Sequence, residues 1–437
     1  MTKKKINIKF KKILNDLKRR PEDAASDLGL TKKKILEILD GKRKLEFDLI
    51  EKAVKKWPVN FNEFFSVEDD TKNGYKIFKN KASNSTERKM YRAGYPYYLY
   101  KDTVMSKVST FRPEWIQQLK IVKNSNPNNV GVRFNNGHFL HQFTYFIGPV
   151  NFYYKINNKK KVVKMNTGDS MYISPYIPHS FTTRENKKNV LGNILALTYA
   201  DKLNTESLNE FSAIGYELTK RFNLNLKNKV NAFKSSLLYH LNNSSISKQN
   251  FFELSGIQLK EIFKKKKLPN SNVINRIANI LKINPRDLLP PIQDHYVKIQ
   301  KYNNNRSWYY PSMKKKEFLF VELTNLAHLP MSKAFELNIL KENKNTTEFM
   351  IPTHQYLYNI GSTTIDITFD KKIKQKFDPG DSIYIKPNLI YKFKGKGKIL
   401  ILRIGGSISS DALYHLSWLS QNNLKRLLND NKPWFNK

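Results

Sequence analysis

The sequence predicts an α+β protein made of two tandem copies of one unit, an all-α bundle followed by an antiparallel β-barrel, with the second barrel degenerate. Three observations lead there. Helical hydrophobic spacing appears twice, each time ahead of short alternating segments rich in Tyr, Phe, Ile and Val. Two strings of the first β-segment return in the second with matching spacing, which is the mark of an internal repeat. The histidines that distinguish the first copy are missing from the second.

Residues 1–66 read as a helical domain. EDAASDLGLTKKKILEILDGKRKL and FDLIEKAVKKWPVNFNEFF place apolar residues at helical intervals, with a turn at Gly29. Residues 67–205 read as the first barrel and 206–290 as the second helical domain. There, in KQNFFELSGIQLKEIFKKKK and NVINRIANILKINPRDLLP, Gly256 precedes Ile262 by the interval that separates Gly29 from Ile35, and Ala278 stands for Ala53. Both helical segments resemble the helix-turn-helix bundle of Cro-type repressors. Residues 291–406 read as the second barrel: DPGDSIYIKPNLIYKF at 378–393 matches NTGDSMYISPYIPHSF at 166–181, and HQYLYNIG at His354 matches HQFTYFIG at His141. Residues 407–437, with DALYHLSWLSQNNLKRLLND, read as a terminal helix.

A chain of 437 residues is long enough for several domains, each with its own core. No apolar run approaches the ~20 residues that cross a bilayer, and MTKKKINIKFKK lacks the apolar stretch of a signal peptide, so a cytoplasmic protein is expected. The chain has no cysteine, which excludes disulfides, zinc–thiolate sites, iron–sulfur clusters and thiol nucleophiles. Possible metal ligands are then His, Asp, Glu and amide oxygens. The net charge of +40 suits nucleic acid or a small anion. Because the lysines are spread along the chain and not gathered in one patch, the small anion is the better expectation.

Asn135 to Gly148, NNGHFLHQFTYFIG, reads as a buried strand interrupted by polar groups. The run GDSMYISPYIPH at 168–179 resembles the second motif of cupins, small β-barrels in which a strand, a proline turn and a histidine close one wall of a metal pocket. The first cupin motif supplies a histidine with a carboxylate four residues later, and here that spacing joins His138 to Gln142. A straight strand would hold those two Cα atoms roughly 13 Å apart, so a bend at Asn136–Gly137 is needed. His138, Gln142 and His179 are the expected metal ligands, and two imidazoles with an amide oxygen suit Fe(II). Neutral Gln in place of a carboxylate leaves the site one unit more positive, which favours an anionic substrate. The second copy has Ile351 for His138 and Tyr391 for His179, yet keeps His354–Gln355, so the His–Gln pair also has a structural reading. His141 is expected to be a packed or hydrogen-bonded histidine on the opposite face.

Taken together, NNGH at 135–138, GDS with PHS at 168–180, the degenerate second barrel and RAGYPYYLY at 92–100 resemble the hydroxyethylphosphonate dioxygenase and methylphosphonate synthase family over nearly the full chain. The dioxygenase branch completes its iron site with a glutamate six residues before the second histidine, which here is Ile173. The synthase branch uses a glutamine four residues after the first histidine, which here is Gln142, so the resemblance favours that branch. It implies phosphonate contacts from Arg92, Tyr100 and Asn135, and a catalytic, substrate-binding role for Lys18. A guanidinium fork with phenol and amide donors suits phosphonate oxygens on physical grounds too. The competing readings are a surface ion pair for Arg92, core packing for Tyr100 and a solvated lysine for Lys18.

The resemblance further implies Fe(II)-dependent cleavage of the C–C bond of 2-hydroxyethylphosphonate by O2, giving methylphosphonate, with no nicotinamide or 2-oxoglutarate. Partners are then substrate and O2, without nucleic acid or membrane, in a homo-oligomer. The nearest alternative gives hydroxymethylphosphonate and formate from the same substrate. A cupin-containing transcription regulator, with TKKKILEIL at Thr31 to Leu39 as its recognition helix, is the alternative from another class.

Overall fold

The computed structural model describes residues 3–109, 111–199, 203–293, 295–340 and 347–429. The chain mixes helix and sheet and divides into two compact units: Met1–Lys76 with Met105–Thr110 and Ser407–Lys437, and Ile77–Val104 with Phe111–Gly406.

The first unit is helical, beginning with α1 (Lys3–Asp16), α2 (Pro21–Leu28), α3 (Lys32–Leu39) and α4 (Phe47–Lys56). Pro21 opens α2 at a position whose N–H has no helical partner anyway, and Gly29 ends it with φ +68°. Thr31 then starts α3 by accepting the Lys34 N–H on its hydroxyl at 3.3 Å. Phe10, Leu28, Ile35, Ile38, Ile50, Ala53, Trp57 and Phe64 form the core, and the Trp57 indole donates to Asp27 at 2.9 Å. The predicted terminal helix is two helices, Ser410–Ser417 and Gln421–Asn429. Ser420 starts the second by accepting the Asn423 N–H on its hydroxyl (3.3 Å) and the Leu424 N–H on its carbonyl (2.9 Å), a competing hydrogen-bonding choice that ends a continuous helix. Residues 430–437 of that expectation lie outside the described residues.

In the other unit, helices Lys229–Asn243, Lys248–Ser255, Leu259–Lys264 and Ser271–Leu281 pack around Phe233, Leu237, Phe251, Ile277 and Leu288. Gly256 again terminates a helix with positive φ (+63°), and Ile262 and Ala278 are buried as Ile35 and Ala53 are.

Among the described residues the rest of the chain forms two β-domains, each a seven-stranded and a four-stranded sheet. The first domain's large sheet runs, in spatial order, Val297–Gln300, Ser170–Ile173, His141–Ile147, Asn193–Tyr199, Glu114–Gln118, Tyr95–Asp102 and Arg88–Arg92. Its small sheet holds Ile121–Val122, His179–Arg184, Val150–Ile156 and Lys159–Met165. The pairing is antiparallel except where Ile121–Val122 meets Thr183–Arg184 in parallel. Phe146, Phe152, Met165, Met171, Phe181 and Ile194 fill the space between the sheets. The second domain repeats this order, from Tyr75–Phe78 at one edge through Ser382–Ile385, His354–Asn359 and Gly397–Ile404 to Ser307–Tyr310.

Each large sheet borrows its edge strand from the segment preceding the other domain. Val297–Gln300 pairs with Ser170–Ile173 of the first, and Tyr75–Phe78 with Ser382–Ile385 of the second. One clasp follows each borrowed strand. Asp169 accepts Lys301 Nζ (2.7 Å) and the Tyr302 N–H (2.9 Å), while Asp381 accepts Lys79 Nζ (2.7 Å) and the Asn80 N–H (2.8 Å). These are the aspartates of the two GDS strings.

Candidate metal centre

The predicted strand at 135–148 starts only at His141; residues 135–140 are a loop. Asn135 closes that loop on the chain leading to His179: its N–H donates to His179 O (3.0 Å), and its Oδ1 accepts the His179 N–H (2.8 Å) and the Gly137 N–H (3.1 Å). Gly137 has φ +75°, and a Cβ there would stand 2.6 Å from the backbone carbon of Tyr176. Any side chain would push the two loops apart, and Tyr176 N–H donates to His138 O (2.7 Å) across that contact. The close approach aims His138 back over the strand that follows it.

His138 Nε2 lies 3.1 Å from Gln142 Oε1. Its Nδ1 lies 2.9 Å from Leu140 O, a group that can only accept, so Nδ1–H donates there and Nε2 is the ring nitrogen that faces the cavity. The Gln142 nitrogen donates to Thr144 Oγ1 at 2.9 Å, which leaves the carboxamide oxygen toward His138. His138 Nε2 and the Gln142 carboxamide oxygen thus face each other closely enough for one cation to be held by both. His179 is 5 % exposed, its ring centroid 5.3 Å from that of His138. Its Nδ1–H donates to Ile177 O (2.8 Å), and its Nε2 accepts from Asn135 Nδ2 (3.0 Å), a bond that must yield if that nitrogen is to bind metal. Burial pushes its pKa down to about 3, with His138 and Arg92 acting the same way against the bond to Ile177, so the ring is neutral as a ligand must be. Among the described residues no cluster of three or more His, Asp or Glu could hold a metal. The donor set here is two imidazoles and an amide, and its chemistry fits Fe(II).

These groups line a cavity of about 180 Å³ with Arg92, Tyr98, Tyr100, Arg112, Glu114, Phe181 and Thr198. Arg92 lies over the Tyr97 and Tyr98 rings, 5.1 and 4.8 Å from their centroids, and donates through Nη1 to Arg133 O (2.6 Å). Burial raises the Tyr100 phenol above its ordinary value, helped by Glu114, so it is a neutral donor. Burial also raises the Glu114 carboxyl, against the pull of Arg88, which pairs with it and with Asp102 (2.6 Å). Arg92, Tyr100, Asn135, His138, Gln142 and His179 therefore share one cavity. Lys18 is exposed at the end of α1 in the helical unit, whereas the cavity lining is drawn from the other unit.

Sequence reasoning did not single out Tyr98, Arg112, Glu114 or Thr198. Thr198 carried no local signal: it shares a face with Gln142 only because their strands pair in the fold. Tyr98 stands two residues before Tyr100 in the same strand, the spacing that shares a face. His141 turns to the opposite face from Gln142, and its Nδ1 lies 2.6 Å from Tyr172 OH. His354 makes the same contact with Tyr384 at 2.7 Å, so this histidine is structural in both domains.

No protein-family model matches the chain. The methylphosphonate synthase of Nitrosopumilus maritimus (strain SCM1) is 44% identical over 434 residues, 98% of this chain and 94% of that protein. A solved structure of Streptomyces albus HEPD with 2-hydroxyethylphosphonate and Fe(II) bound superposes with a TM-score of 0.94, at 28% identity and 99% coverage of both chains. Native PhpD with cadmium atoms shares the fold, with a TM-score of 0.74 at 16% identity over 97% of this chain and 99% of that one.

Proposed function

The chain belongs to the methylphosphonate synthase family, and from that premise we propose that it is an Fe(II)-dependent oxygenase converting 2-hydroxyethylphosphonate and O2 to methylphosphonate and an oxidised one-carbon product. The observation that carries this reading is the facing pair His138 Nε2 and Gln142 Oε1, with apolar Ile173 where the dioxygenase branch has its carboxylate. His138, Gln142 and His179 would hold the iron, in a first β-domain that we read as a cupin barrel and as the first of two tandem copies with the helical segments before them. Bound there, Fe(II) would supply activation of O2 beside the substrate.

The chain's own residues have simpler tasks. Arg92 and the neutral Tyr100 hydroxyl offer donors to phosphonate oxygens, and the guanidinium is held in place by two aromatic faces and one backbone carbonyl. Asn135 has spent its oxygen on the two loops, so its Nδ2 is what it can offer to substrate. Lys18 is a further proposed substrate-binding and catalytic residue. We place the enzyme in the cytoplasm as a homo-oligomer acting without nucleic acid; among the described residues no helix is long and apolar enough to cross a membrane.

The test is ³¹P NMR of the products from 2-hydroxyethylphosphonate with Fe(II) and O2. Methylphosphonate as the main product is expected. Hydroxymethylphosphonate with formate would instead assign the chain to the dioxygenase activity, the reading favoured by its likeness to the Streptomyces albus structure.

A further inference from the structure

We propose that the Thr144 hydroxyl is the positioning group that turns the Gln142 carboxamide so that its oxygen, and not its nitrogen, faces the metal position. The inference rests on the reading of Gln142 as a ligand and deepens it. A carboxamide has two ends of nearly equal size and opposite chemistry: one accepts, and the other is an NH2 that cannot bind a cation. A glutamine ligand therefore needs an outside group to fix which end points inward. A carboxylate needs none, because both of its oxygens accept.

Thr144 stands two residues beyond Gln142 on the same strand, so both side chains share one face. Both are buried, at 0 % and 4 % exposure, and the Gln142 nitrogen reaches Thr144 Oγ1 at 2.9 Å while Oε1 faces His138. With the NH2 bonded to Thr144 on the far side, the oxygen is left for the ion; the opposite orientation would give up that bond and turn toward the ion an NH2 that cannot bind it.

The second β-domain supplies the contrast. Its matching string has Gln355 for Gln142 but Leu357 for Thr144, together with Ile351 and Tyr391 in place of the two histidines. There the Gln355 nitrogen is buried with no hydrogen-bond partner among the described residues, and its oxygen is held by the Tyr391 hydroxyl at 2.7 Å. The hydroxyl that satisfies the amide nitrogen is present in the copy that keeps its imidazoles and absent from the copy that has lost them.

The experiment is anaerobic Fe(II) binding by calorimetry on Thr144→Val and Thr144→Ser, each in the natural and the Gln142→Glu background, with Gln142→Ala alongside and thermal unfolding of each metal-free protein as a check on folding. Thr144→Val should weaken binding by about 10- to 100-fold, Thr144→Ser should restore it, and in the Gln142→Glu background the valine should change little. Equal weakening in both backgrounds would mean that Thr144 acts by packing and would overturn the inference. Undiminished affinity in Thr144→Val, with Gln142→Ala weakened, would overturn the inference alone. Undiminished affinity in Gln142→Ala would remove the ligand reading beneath it.

Discussion

Gln142 and Ile173 stand opposite each other on neighbouring antiparallel strands, in register, so their side chains share one face of the sheet. Side chains so opposed have Cβ atoms about 4.5–5.5 Å apart, and either strand can present a ligand to the same ion. Gln142→Ala is expected to weaken Fe(II) binding about tenfold or more, and adding Ile173→Glu should restore much of it from the adjacent strand. Anaerobic calorimetry checks both; a double variant that binds no better than the single one would show that position 173 does not reach the site.

Lys18 follows α1 with φ +54°, and the Arg19 N–H closes back on Leu14 O at 2.8 Å. Glycine suits that backbone better than lysine does, so Lys18→Gly should leave thermal stability unchanged or raise it by about 0–1 kcal/mol. Turnover should nevertheless fall about tenfold or more if the ammonium binds substrate. A fully active Lys18→Gly would reduce the residue to a helix terminus.

Asp381 is 2 % exposed and holds Lys79 Nζ with two backbone N–H groups, those of Asn80 and Asp378. Lys79 is half exposed and can turn to water, so the loss falls mainly on the two stranded N–H groups. Asp381→Ala should cost about 1–3 kcal/mol, read as a lower urea midpoint of the metal-free protein. A loss no larger than about 0.5 kcal/mol, the size of an ordinary surface substitution, would rule out a structural clasp.

Burial lowers the His354 pKa to about 4. The unfolded chain takes up this proton near 6.5, before the folded protein does, so the contribution to stability is complete above that pH and is lost as pH falls toward about 4. Its slope is at most about 1.4 kcal/mol per pH unit. His354→Phe should flatten the urea midpoint between pH 6.5 and 4, and an unaltered slope would assign the acid sensitivity to other groups.

Local rules made much of this legible. The αL glycines at 29 and 256, the buried pairs Ile35/Ile262 and Ala53/Ala278, and the two GDS strings are short-range patterns written directly in the chain. The proximity of His138 to Gln142 was legible only as a requirement for a bend at Asn136–Gly137, which Gly137 supplies. What escaped was set by distant pairing. Nothing local in Val297–Gln300 says that it joins Ser170–Ile173, and nothing in Glu114 or Arg112 says which cavity they line. The break at Ser420 was present as a capping residue but hidden by helical periodicity on both sides.

The borrowed strands give the β-domain that lacks counterparts of His138 and His179 a reason to persist. Cutting the chain near residue 290 would leave the backbone of Ser170–Ile173 bare along one side, an open template for mispairing beside the very strand that carries Gln142. The second β-domain is in that sense a splint, since the first cannot be cut free of it without losing an edge strand.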